Sequence, residues 1–177
     1  MNLYIITGGP GVGKTTLVDY LHTKGFLIVP ESARAIIRDQ VGKNGDGVPW
    51  KNKYIYAQLM FKESLQAYNQ IFNVTCDKTV FFDRGLADTL CYMKMENIPI
   101  TDDQIKTVKD TIYNRKVFIL PPWAEIYETD MERKQSWEES VNTYRNMKET
   151  YINLGYEVIT VPIGSVESRY DFVLNHL

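Results

Sequence analysis

Residues 1–17 read MNLYIITGGPGVGKTTL. Leu3 to Thr7 is a short apolar run of the β-prone kind, and it passes without a break into Gly8-Gly9-Pro10-Gly11-Val12-Gly13-Lys14-Thr15. That stretch fits GxxxxGK[ST] at every fixed position. Strand, glycine-rich turn and helix start is the context in which the motif has a mechanical meaning. Backbone N–H groups can point at phosphate oxygens only if the chain passes very close to them, and glycines leave the space for that approach. Gly8, Gly9, Pro10, Gly11, Val12, Gly13, Lys14, Thr15 and Thr16 are therefore expected to hold a nucleoside triphosphate. Lys14 would reach the β and γ phosphates, Thr15 would offer its hydroxyl to Mg²⁺, and the N-terminus of a helix from Lys14 to about His22 would add favourable partial charge. These residues leave ATP against GTP open.

Outward from the loop, strand-type and helix-type segments alternate, the pattern of a parallel sheet covered by helices. Strands are expected at Leu3 to Thr7, Leu27 to Pro30, Thr79 to Asp83, Lys116 to Leu120 and Tyr156 to Val161, each apolar enough to suggest burial on both faces. Trp137 to Leu154 reads as a helix with Trp137, Val141, Tyr144, Met147, Tyr151 and Leu154 in one apolar stripe and Gly155 as a stop. Lys53 to Phe72 reads as a second long helix. Its residues Tyr56, Leu59, Met60, Leu65, Tyr68 and Ile71 suit a core better than a base-stacking surface. Gly42 to Asn52 (GKNGDGVPWKN) has the composition of a loop able to open or close over a ligand. Pro121 to Ser136 (PPWAEIYETDMERKQS) is a charged, partly helical run expected to form a short lid.

The 177 residues favour one domain over residues 1–177, and 44% hydrophobic with 24% charged residues is an ordinary globular composition. The longest apolar runs, such as Val80 to Phe82 and Val117 to Leu120, fall far short of the roughly 20 residues a spanning helix needs. The N-terminus lacks a basic start, so neither membrane insertion nor a signal peptide is expected and a cytoplasmic protein is. A formal charge of −2 gives no electrostatic footprint for a nucleic-acid polymer, which favours a small-molecule partner. Cys76 and Cys91 are too few and too far apart for a metal cluster. His22 and His176 read as surface residues.

Phosphoryl transfer needs a held metal, a group that orients the nucleophile, and positive charge for the transition-state oxygens. Thr79-Val80-Phe81-Phe82-Asp83 is an apolar strand ending in a carboxylate, the form of a Walker B element. If it lies beside the first strand, Asp83 stands next to Thr15 and can hold Mg²⁺. Arg84 either faces substrate or forms a structural ion pair with Asp83 or Asp88. Glu31, at the end of the second strand in VPESAR, points to the same crevice, because ligands of open α/β sheets bind outside the carboxyl ends of the strands. There it could accept a proton from an attacking hydroxyl or bind the acceptor, or it could serve only as a helix N-terminal carboxylate. Arg34, one turn on, could contact an anionic acceptor, with Arg38 as its next-turn neighbour. In DMERK, residues 130–134, Arg133 is the candidate for neutralising the transferred phosphate on closure, against a solvated charged helix. Trp123 could be core or a wall of the acceptor pocket.

Together GGPGVGKTT, VPESAR, FFDRGLADT, PPWAEIYETDMER and GYEVITVP resemble AAA-like P-loop ATPase domains related to the ribosylnicotinamide kinase domain of NadR proteins. More distantly they resemble deoxynucleoside and thymidylate kinases. The resemblance implies a three-layer α/β/α sandwich with a five-stranded parallel sheet in order 2-3-1-4-5, Mg-NTP at the phosphate loop, and an acceptor near Glu31 and Arg84. It makes Glu31 the acceptor-side carboxylate, Asp83 the metal-side carboxylate and Arg133 a lid arginine. The chain lacks the adenylyltransferase domain that accompanies the kinase in NadR, so a role in NAD synthesis does not carry over. The resulting expectation is an ATP- and Mg-dependent kinase acting on a nucleoside or nucleotide-like metabolite. The alternative is a nucleotide-binding NTPase or switch acting on a protein or lipid partner. No NKxD-type guanine reader follows a late strand, and little chain is left over for the lid domain of a motor ATPase. The acceptor and the oligomeric state stay open.

Overall fold

The computed structural model describes residues 2–72, 78–126 and 136–177. In chain order the elements are β1 (Leu3–Gly8), α1 (Lys14–Thr23), β2 (Leu27–Val29), α2 (Ala33–Gly42), α3 (Lys53–Phe72), β3 (Val80–Asp83), α4 (Leu86–Met95), α5 (Asp102–Asp110), β4 (Lys116–Leu120), a 3-10 turn (Ala124–Ile126), α6 (Trp137–Asn153), β5 (Glu157–Thr160) and α7 (Val166–Leu174). The strands form one five-stranded sheet in the order β2-β3-β1-β4-β5. Every pairing is parallel. The expected sheet order is the one observed.

Successive strand residues point to opposite faces, and the two faces carry separate cores. Leu3 and Ile5 of β1 and Val80 and Phe82 of β3 pack with Ala57 and Tyr68 of α3, Leu86, Leu90 and Met93 of α4, and Tyr151 of α6. Tyr4, Ile6, Phe81 and Phe118 turn the other way, onto Leu17, Val18 and Leu21 of α1 and Val173 of α7. Burial on both faces holds for the three central strands but fails for β2 and β5, whose residues are partly exposed. Those two strands are the sheet edges, with only one strand neighbour each. Both also end sooner than their apolar runs suggested, at Val29 and Thr160.

The long helices match their sequence patterns. Lys53–Phe72 has the expected bounds, but of its expected core residues only Tyr56 and Tyr68 are fully buried. The α6 helix begins where Ser136 and Glu139 form a capping box: the Glu139 N–H donates to Ser136 Oγ at 3.2 Å and the Ser136 N–H to Glu139 Oε2 at 2.6 Å. Its buried line runs through Ser140, Thr143, Met147 and Tyr151. Met147 and Tyr151 belong to the expected stripe, whereas toward the N-terminus burial passes to Ser140 and Thr143 and Trp137 is exposed. There Ser140 and Thr143 lie against Gly9 of the loop. Between α2 and α3, residues 43–52 are tied back to the body: Val48 is buried, and the Gly47 N–H donates to Gln40 Oε1 at 3.0 Å. No helix among the described residues is long and apolar enough to cross a membrane.

Candidate nucleotide-binding site

The site is built at the C-terminal ends of β1, β2 and β3. Strand β1 delivers the chain to Gly8, and α1 takes it up at Lys14. Gly8 has φ +146, and a Cβ there would lie 2.8 Å from the Leu120 carbonyl oxygen of the neighbouring strand. Gly13 has φ +73, and a Cβ there would lie 2.9 Å from Arg169 Nη1, which donates to the Gly13 carbonyl at 3.0 Å. Glycine is thus favoured at both ends of the loop by conformation, and at Gly8 also by space. Val12 turns inward and is buried, whereas Thr15 and Thr16 are exposed on the first turn of α1.

Parallel pairing sets Ile6 opposite Asp83, which brings the end of β3 beside the phosphate loop. There Lys14 Nζ donates to Asp83 Oδ1 at 2.6 Å and lies 3.8 Å from Glu31 Oε2. Arg84 Nε donates to Glu31 Oε1 at 2.7 Å. The three elements that carry the sequence candidates therefore converge, and Lys14, Glu31, Asp83 and Arg84 form one continuous ion cluster. Burial by itself would raise the Glu31 carboxyl, but the Arg84 guanidinium, then Lys14 and Arg34, hold it below the ordinary carboxylate range. Burial likewise opposes the charge on Arg84, yet Glu31, Asp88 and Asp83 keep that guanidinium firmly protonated.

Of the two roles weighed for Arg84, the ion pair is present, since its Nη1 meets Asp88 Oδ1 at 3.3 Å. Asp88 is buried in α4 and accepts from four donors: Arg84 Nη1, the Gly85 N–H at 2.8 Å, Thr7 Oγ1 and the Tyr151 hydroxyl. Arg84 itself has φ 76, and its own N–H donates to the Ile6 carbonyl at 3.0 Å. Tyr56 of α3 senses the same charges. Burial and then Glu31 push its phenol up to about 12, against the opposing pull of Arg84. Its ring meets Tyr92 edge-on at 5.6 Å, and among the described residues the buried Tyr92 hydroxyl has no hydrogen-bond partner. Among the same residues the buried Ser140 hydroxyl has none either, and it faces Gly9 of the loop.

Trp123 is half-buried, with the Arg169 guanidinium 5.5 Å above its ring centroid. Because Arg169 also holds Gly13, Trp123 stands on the phosphate-loop side of the sheet. Arg34 is exposed but within electrostatic reach of Glu31, and Arg38 is exposed one turn further along α2. Cys91 is a buried free thiol, pushed up to about 11 by that burial. Arg133 and Cys76 lie outside the described residues. Among the described residues no three His, Cys, Asp or Glu side chains gather to make a self-contained metal cage. Asp83 and the Thr15 hydroxyl are two oxygen donors at one end of the loop. That donor set fits Mg²⁺, which takes few protein ligands and fills its remaining positions with phosphates and water.

Sequence reasoning named Asp88 only as an ion-pair partner of Arg84 and missed Tyr56, Tyr151 and Arg169 as neighbours of the cluster. The i,i+4 spacing of Arg84 and Asp88 in DRGLAD was a local signal for one contact. The others come from distant parts of the chain, with Tyr151 and Asp88 separated by 63 positions.

Several solved structures share this fold. A deoxyadenosine kinase from M. mycoides, solved with the products dCMP and a flexible dCDP, is 18% identical over 98% of this chain and 97% of its own, with a TM-score of 0.68. NadR protein in complex with NR is 19% identical with a TM-score of 0.74; the match covers 98% of this chain and 50% of that one, so the present chain spans about half of NadR. YorR protein from Bacillus subtilis, in complex with phosphorylated GDP, is 16% identical over 98% of this chain and 94% of its own, with a TM-score of 0.60. At these identities the likeness establishes the fold. No curated protein sequence matches the chain. A family profile described as AAA domain matches residues 3–169. That span takes in every described residue of the cluster, and the chain belongs to this AAA-domain family.

Proposed function

We propose that the chain is a Mg²⁺-dependent P-loop kinase that transfers the γ-phosphoryl group of ATP to a hydroxyl of a nucleoside or nucleotide-like metabolite, working as one domain with a short lid at about residues 121–136. The observation that carries this reading is the convergence of Lys14, Glu31, Asp83 and Arg84, with Lys14 Nζ 2.6 Å from Asp83 and Arg84 Nε 2.7 Å from Glu31. Phosphate loop, metal-side carboxylate, acceptor-side carboxylate and a fixed guanidinium are the parts that phosphoryl transfer requires, and they meet at one crevice. The kinases among the structures of the same fold support the same reading.

On nucleotide binding, Lys14 exchanges Asp83 for the β and γ phosphate oxygens, and Asp83 becomes available, with Thr15, to hold Mg²⁺. The metal, when bound, neutralises charge on those phosphates. Glu31 is ionised at neutral pH, because its pKa is lowered. Its Oε1 is occupied by Arg84, whereas among the described residues Oε2 meets Lys14 alone, at 3.8 Å, so Oε2 is the atom that receives the acceptor hydroxyl. As the acceptor oxygen bonds to the γ-phosphorus, the bond from phosphorus to the β–γ bridging oxygen breaks, ADP leaves and the hydroxyl proton passes to Glu31. Such transition states are loose, so the proton leaves late and a carboxylate of low basicity is sufficient. Arg84 and Arg34 present positive charge on the acceptor side, and Arg133 is assigned to the transferred group on closure.

The test is a panel of nucleosides, nucleoside monophosphates and vitamin-like metabolites incubated with γ-labelled ATP and Mg²⁺. Label in one acceptor supports the proposal. Release of labelled phosphate with every acceptor unlabelled would replace it with an NTPase or switch acting on another kind of partner.

A further inference from the structure

From the arrangement around Asp88 we infer that this carboxylate is a positioning residue, which fixes the Arg84 guanidinium at a set distance from the phosphate loop. The inference rests on the kinase reading only for its effect on rate. A carboxylate has about four lone-pair sites, and all four of Asp88 are filled: by Thr7 Oγ1, the Gly85 N–H at 2.8 Å, the Tyr151 hydroxyl and Arg84 Nη1 at 3.3 Å. Three of these donors are neutral and are carried by β1, the turn into α4, and α6. They orient the carboxylate whatever Arg84 does.

Arg84 is the charged fourth partner, and it is held along two edges: Nε by Glu31 at 2.7 Å and Nη1 by Asp88. Two holds fix the plane of a rigid, forked cation and so fix where its remaining donors point. Among the described residues, no protein oxygen takes a hydrogen bond from Arg84 Nη2. Thr7 immediately precedes Gly8, the first glycine of the loop. The donor-side loop and the acceptor-side guanidinium therefore hang from the same buried carboxylate, and a line-up of nucleophile and phosphorus depends on that shared anchor.

The experiment uses the full chain labelled with ¹⁵N-arginine, as wild type, Asp88→Asn and Tyr151→Phe. The guanidinium signals of Arg84 are recorded with Mg-AMP-PNP, whose affinity is measured by calorimetry, and steady-state kinetics are run with whichever panel acceptor is phosphorylated. In the wild type, Arg84 should show a slowly exchanging Nε–H and separate Nη signals from hindered rotation. Asp88→Asn should average the Nη signals, leave the AMP-PNP Kd within about twofold, and raise the acceptor KM about tenfold to a hundredfold, the range of one charge-assisted hydrogen bond. Tyr151→Phe, which removes a neutral donor and keeps the charge pair, should lower the melting temperature and leave the Arg84 signals unchanged. The inference is overturned if wild-type Arg84 already rotates freely, if Asp88→Asn changes only the melting temperature, or if Tyr151→Phe frees Arg84 equally. Should Asp88→Asn fail to fold, the wild-type spectrum decides. Should no acceptor be phosphorylated, the kinase reading falls while the Arg84 spectra still judge this one.

Discussion

Gly8→Ala and Gly9→Ala form a matched pair, because the loop offers very different room at two adjacent glycines. At Gly8 an added Cβ would sit 2.8 Å from the Leu120 carbonyl oxygen, 3.1 Å from Val12 Cγ2 and 3.3 Å from Leu120 Cβ, on a backbone with φ +146. The nearest atom is main chain of the central sheet and cannot swing aside. Holding a non-glycine residue in a glycine-only region costs roughly 1–3 kcal/mol, and overfilling a packed region costs about as much again. Gly8→Ala should therefore destabilise the fold by about 2–6 kcal/mol. At Gly9 the nearest atoms would be Ser140 Oγ at 3.4 Å and the Ser140 carbonyl oxygen at 3.5 Å, ordinary contact distances. Gly9→Ala should stay within about 0.5 kcal/mol of wild type. Urea unfolding at 25 °C reads both, since slopes of about 1–3 kcal/mol per molar turn the Gly8 penalty into a midpoint lower by about 0.7 M or more. Equal midpoints for the two variants, or a Gly8→Ala midpoint at the wild-type value, would refute the close approach of the loop to β4.

Lys14→Ala should weaken AMP-PNP binding about a hundredfold or more, the loss of two charge-assisted contacts to phosphate, as read by calorimetry. Glu31→Gln should leave that affinity intact and slow transfer to an identified acceptor by about 10²–10⁴-fold; unchanged transfer would remove Glu31 from the role of base. The same carboxylate also predicts a pH effect on stability. Its folded pKa is lowered, so its contribution is present above the unfolded pKa and is lost as pH falls through the lowered folded value. Glu31 is 24% exposed, which keeps the effect small. Melting curves should show a slightly shallower loss of stability on the acid side for Glu31→Gln than for wild type, and superimposable wild-type and variant profiles would contradict the lowered pKa.

The parts of this site that were legible in sequence are those encoded by contiguous residues. Leu3 to Thr15 carries its own strand, turn and helix start, and Lys53–Phe72 and the start of α6 at Trp137 follow from periodicity and capping chemistry. The strand ends at Glu31 and Asp83 could be placed in one crevice because parallel sheets gather such ends by construction. What stayed hidden depends on distant partners. Thr7 and Asp88 meet across 81 positions, and no local pattern distinguishes that aspartate from an ordinary i,i+4 ion pair. The same holds for the Arg169 guanidinium over the Trp123 ring, a contact between residues far apart in the chain. Along α6, periodicity found Met147 and Tyr151 but not Ser140 and Thr143, because it ranks positions by hydrophobicity and these two small polar residues face Gly9.

The charges of the cleft bear on how the donor must arrive. Lys14 and Arg84 are surrounded by Glu31, Asp83 and Asp88, two cations against three carboxylates, and each cation is already engaged by carboxylates. A triphosphate without its metal would meet a cluster that, among the described residues, is negative on balance. At about 4 Å, a single unit charge near a protein surface counts for about 4 kcal/mol. On the proposed reading, removing Mg²⁺ with EDTA should weaken AMP-PNP binding by well over tenfold. Asp83→Asn separates this from a general loss of binding, because the two conditions should then move in opposite directions. Without metal, the variant should bind AMP-PNP more tightly than wild type, since Lys14 is released and one repelling charge is gone. With Mg²⁺ it should bind more weakly, since the metal has lost its carboxylate. If Asp83→Asn weakened binding equally in both conditions, Asp83 would be holding the loop through Lys14 rather than serving the metal.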